Sequence, residues 1–78
     1  MKAKSKMDWV KGEVSKESKE SGIAGVETGY LDDRLVFEIH WANESIFYLR
    51  EWGPEKYSLV GVFRNKTAAR AYAEYLFL

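Results

Sequence analysis

The chain has 78 residues, with twelve Lys or Arg balanced by twelve Asp or Glu, no cysteine, and a dense set of three Trp, five Tyr and four Phe. That length makes one domain near the lower limit for an unaided core, and the missing cysteines exclude disulfide or thiolate-metal staples. A neutral total excludes the broad positive field of a non-specific nucleic-acid binder, and no run of about 18 apolar residues offers a membrane span.

The charge is unevenly spread. Residues 1–20 carry six Lys against Asp8, Glu13, Glu17 and Glu20, a net of +2, so residues 21–78 carry −2. The first 21 residues are polar and repetitive, as in "KAKSK" and "SKESKES". Composition reads them as an arm without fixed structure. Met7, Val10 and Val14 fall at i, i+3, i+7, so the sharper alternative is a short helix over about 4–19, with Trp9 anchored on the body of the domain. The N-terminus has lysines but no apolar stretch of a secretory signal, and a cytoplasmic setting is the expectation.

From residue 22 the period becomes two. "GIAGVETGY" suits a first strand and "LDDR" a turn. In "RLVFEIHWA", Leu35, Phe37, Ile39 and Trp41 alternate with Arg34, Val36, Glu38 and His40, which predicts a half-buried strand. "NES" breaks it, "IFYLREW" reads as a third strand, "GPEK" as a turn and "YSLVGVF" as a fourth strand. A helix follows Phe63, with Asn65 as N-cap. Its sheet-facing side is expected to be Ala69, Tyr72, Ala73 and Leu76, and its polar edge Lys66, Arg70 and Glu74. The predicted fold is α+β: a four-stranded antiparallel meander over residues 22–78, packed by the C-terminal helix, after an N-terminal arm or short helix.

One parity decides the surface. A two-residue loop at Asn43-Glu44 would put Tyr48, Arg50 and Trp52 on the Leu35 face. A three-residue loop, Asn43-Glu44-Ser45, would put Phe47 and Leu49 there. The second buries no charge and is preferred. It leaves Glu38, His40, Tyr48, Arg50 and Trp52 on the open face, a composition suited to a protein interface. The plainer account has Trp52 closing the end of the core and Arg50 pairing with Glu38 in solvent.

Catalytic chemistry has little to stand on. His40 is the single histidine, and a mid-strand His is more often a hydrogen-bonded surface residue than a catalyst. Asp32-Asp33 fits a turn better than a metal pair, because adjacent turn residues diverge. Gly22, Gly25 and Gly29 form no dinucleotide or phosphate loop. The expectation is therefore no catalytic residue, no metal and no cofactor.

The stretch "GVF" followed by "TAARAYAEYL", with "GV" at 25–26 and "EI" at 38–39, resembles the end of the AP2/integrase-type DNA-binding domain. That resemblance implies a three-stranded sheet backed by a helix, with the sheet docked in a DNA major groove. The same ending also resembles peptidoglycan-binding SPOR domains. Where the AP2 family carries Arg and Trp after its "GV", this chain has Glu27, Thr28, Gly29 and Tyr30, and it adds "IFYLREW" where the family has a turn.

The leading functional expectation is a non-catalytic protein-binding module, a regulator or inhibitor of a larger complex. Tyr75, Phe77 and Leu78 cannot all share one sheet with Tyr72 and Leu76, so with Arg70 they form a second candidate contact surface, for a partner or a homodimer. The alternative is nucleic-acid binding through the sheet, with the basic arm reaching a backbone and Arg34, Arg50 and Arg64 as phosphate contacts.

Overall fold

The computed structural model describes residues 7–53 and 56–76. They form five strands and two helices in the order β1 (Asp8–Lys11), α1 (Lys16–Glu20), β2 (Gly25–Leu31), β3 (Arg34–Asn43), β4 (Ile46–Trp52), β5 (Tyr57–Phe63) and α2 (Lys66–Tyr75). Strand order in the sheet equals chain order, every pair is antiparallel, and α2 lies across β3, β4 and β5 on one face.

The sheet has one strand more than the predicted four. The extra one, β1, lies in the stretch expected as an arm or a helix. Met7 and Trp9 alternate with Asp8 and Val10, and Met7 is buried in the core cluster. The helical spacing of Met7, Val10 and Val14 was a coincidence of a short segment. What admits a strand here is Gly29, opposite Trp9 on β2: a Cβ at Gly29 would lie 2.7 Å from the Trp9 ring. Helix occurs only later, as a short turn capped by Ser15, whose hydroxyl accepts from the Ser18 amide.

The core is Phe37, Ile39, Phe47 and Leu49 under Ala69 and Ala73, with Trp9, Leu31, Val36, Trp41, Val60 and Phe63 packed around it. Two alanines on the buried stripe let α2 come close to the sheet. Asn65 caps α2 as expected, accepting from the Ala68 amide at 2.7 Å. Tyr72 and Leu76 were expected on the sheet-facing side but are exposed at its flank; the Tyr72 ring meets the Phe63 ring in a tilted contact, centroids 5.5 Å apart. The expected polar edge, Lys66, Arg70 and Glu74, ties α2 to the sheet. Arg70 donates to both oxygens of buried Glu27 at 2.7 Å, Lys66 lies over the Trp41 ring, and Glu74 accepts from the Trp9 indole.

Bulges set the faces. Asn43 pairs with Ile46 around a two-residue turn, and Trp41 pairs with Phe47, so Ala42 is skipped. The predicted parity is correct, with Phe47 and Leu49 in the core, but a bulge at Ala42 produces it in place of a three-residue loop. A second bulge overturns one assignment. Gly29 pairs with Phe37 but Tyr30 with Leu35, so Val36 packs on the core and Leu35 turns to the opposite face. Asp32 and Asp33, at φ 53° and 67°, form the tight β2–β3 turn.

Candidate interaction surface

The face of the sheet opposite α2 is polar at its centre and apolar toward β5. Pairing brings Glu38 opposite Arg50, His40 opposite Tyr48, Tyr48 opposite Val62, Arg50 opposite Leu59 and Trp52 opposite Tyr57. All five residues expected on this face, Glu38, His40, Tyr48, Arg50 and Trp52, therefore lie on it together. Tyr57, Leu59 and Val62 join them and were not singled out from the sequence. The bulge at Val60, which puts Leu59 beside Arg50, has no signature in "YSLVGVF".

The polar centre is built around the Glu38 carboxylate. His40 Nε2 lies 2.7 Å from Glu38 Oε1. The approach lacks hydrogen-bond direction, and the buried Nε2 has no hydrogen-bond partner among the described residues, so the contact becomes an ion pair only with a protonated ring. Tyr57 lies beside the same carboxylate: burial first, then the charge and hydrogen-bonding pull of Glu38, push the Tyr57 hydroxyl above the usual tyrosine range, while Arg50 opposes the shift. Arg50 lies over the Tyr57 ring at 5.1 Å, and the Trp52 ring meets Tyr57 at 4.6 Å.

The segment joining β1 to β2 arches over part of this face. Through Val14, Ser18 and Ile23 it lines a half-open pocket of about 250 Å³ beside His40, Arg50 and Tyr57. Beyond this cover, a shallow apolar depression runs from Ile23 past Tyr48 to Leu59. Leu59 is 61% exposed, Val62 54% and Trp52 43%.

Of the helix residues expected to form a second contact surface, Arg70 and Tyr75 are described. Arg70 is held by Glu27, and that bond raises its already high pKa. Tyr75 is 67% exposed and stacks on Tyr72. Phe77 and Leu78 lie outside the described residues. Among the nucleic-acid candidates, Arg34 begins β3 at the β2–β3 turn, Arg50 lies on β4 and Arg64 follows β5. Among the described residues no three His, Asp or Glu side chains gather as a metal site, and no helix is long and apolar enough to cross a membrane.

The class this geometry defines is a small α+β domain: a five-stranded antiparallel meander with one face covered by a helix and the other partly open. No protein-family model matches the chain, and no curated protein or solved structure is significantly similar to it.

Proposed function

We propose that the protein is a non-catalytic binding module that docks another protein on the open sheet face, as a regulator or inhibitor of a larger assembly would. One observation carries this reading: Tyr48, Trp52 and Leu59 stand exposed around Arg50, side by side on adjacent strands β4 and β5, just outside the cover of the β1–β2 segment. Aromatic and Arg side chains on a rigid, pre-formed sheet bind at low entropic cost, and they dominate protein interfaces. Support for a role without catalysis comes from Glu38 and Arg50, which both lie against Tyr57.

The nucleic-acid reading has weaker support. Arg50 stands opposite Glu38, so this face has little net positive charge to release counterions from a phosphate backbone.

The test is affinity capture from the native host with the wild-type chain and with Tyr48→Asp and Trp52→Ala variants of matched melting temperature. A protein held by the wild type and lost by both variants, then shown to bind in purified form, supports the proposal. Identical captured sets for all three chains overturn it. Salt-sensitive binding of a duplex or single-stranded oligonucleotide, without a protein ligand, would favour the other reading.

A further inference from the structure

The two edges of the sheet differ. β1 is four residues long and carries Asp8 and Lys11. β5 has seven residues, Tyr57–Phe63, with no charge and no proline. Sheet edges are normally guarded by short strands, charges, prolines or bulges, because their free backbone groups template further pairing. Among these devices β5 has only the bulge at Val60, which leaves Gly61, Val62 and Phe63 as a regular run at the edge.

Both faces beside that run are apolar. On the open face stands Val62, 54% exposed. On the helix face stand Phe63 and the Tyr72–Tyr75 stack. Arg70 and Glu74 point α2 toward β2 and β1, so Tyr72, about 200° around the helix from Arg70, faces the β5 side.

We propose that the β5 edges of two copies pair antiparallel, near Val62, to make one continuous ten-stranded sheet. Antiparallel pairing of identical edges places the two-fold axis perpendicular to the sheet. Both α2 helices then lie on the same face, and the exposed Tyr72 and Tyr75 of each copy flank the seam. Charge permits this occupant. A register centred on Val62 sets Val62 against Val62, Gly61 against Phe63 and Val60 against Arg64, so no like charges are opposed. A second copy also brings the same apolar side chains to both faces of the seam at once, which a generic extended segment does not. The open faces of the two copies become one surface, but the pairing stands whether or not that surface binds a protein.

Sedimentation velocity of the full chain over a concentration series tests this, with circular dichroism to confirm folding. The wild type is expected to shift from monomer to dimer. Val62→Lys, which sets a charge against its own copy, is expected to weaken association at least about tenfold, and Val10→Lys on the far edge to leave it unchanged. A wild type that stays monomeric throughout overturns the proposal. So does a dimer that survives Val62→Lys but is broken by Tyr75→Glu, since the helices alone would then hold it. If Val62→Lys fails to fold, Val62→Cys decides, because the chain has no other thiol. A disulfide-linked dimer on mild oxidation, absent for Val10→Cys, supports the pairing; equal cross-linking of the two overturns it.

Discussion

The carboxylate of Glu27 on β2 receives two parallel N–H bonds, both 2.7 Å, from Arg70 on α2. Glu27 is 6% exposed, and Lys66 lies 3.8 Å away. The pair clasps the helix to the half of the sheet that the alanine stripe does not reach. Removing only the guanidinium leaves a buried charge without its main partner. Arg70→Met is therefore expected to cost on the order of 3 kcal/mol, toward the lower end for such pairs because Arg70 is partly solvated. The double variant Glu27→Met/Arg70→Met is expected to recover most of that loss. Urea denaturation of the three chains checks both statements.

Gly25 and Trp41 form a second junction. A Cβ at Gly25 would lie 2.3 Å from the Trp41 ring, which also carries Lys66 on its face. Gly25→Ala must move the ring, at a cost of about 1–3 kcal/mol. The expected readout is a lower melting temperature together with a changed tryptophan emission. Unchanged emission would mean the ring does not rest on the glycine.

Tyr57 supplies the pH dependence. Its folded-state pKa is raised above the ordinary value of 10.0 by burial and by Glu38, so the folded chain holds this proton more tightly than the unfolded chain. The associated stability is complete below about pH 10 and is lost as the pH rises through the folded value. Tyr57→Phe is expected to flatten that part of the profile. Melting temperatures of both chains from about pH 9 to pH 11 give the comparison, and equal slopes would remove Tyr57 as the cause.

The β2–β3 turn offers a stabilising change. Asp33 sits at φ 67°, a left-handed conformation that glycine adopts without the Cβ penalty. Asp33→Gly is expected to raise stability by a few tenths of a kcal/mol up to about 1 kcal/mol, net of the extra freedom glycine gives the unfolded chain. Thermal melts resolve a change of that size in a domain this small.

These relationships were legible in the sequence to different degrees. The alternation in "RLVFEIHWA" and the Asn65 cap are local signals, and both appear where the spacing puts them. The face holding Glu38, His40, Tyr48, Arg50 and Trp52 was also legible, because only one parity kept Arg50 out of the core. The bulges at Ala42, Val36 and Val60 were not. Each shows only in how two strands pair, which no single segment encodes. The missing β1 has the same cause: a lysine-rich stretch becomes a strand because Gly29 leaves a berth for Trp9, twenty residues away. Lys66, Arg70 and Glu74 were legible as a polar edge but not as ties to the sheet, because their partners, Trp41, Glu27 and Trp9, are remote in the chain.

The meander's in-order pairing has a kinetic corollary. From β2 onward each strand can zip on its predecessor with a short loop closure, which favours rapid folding. The indole of Trp9, by contrast, donates to Glu74 across 65 positions of chain. That latch can close only after everything between has been laid down, so the first strand is expected to dock last and, in hydrogen exchange, to open first.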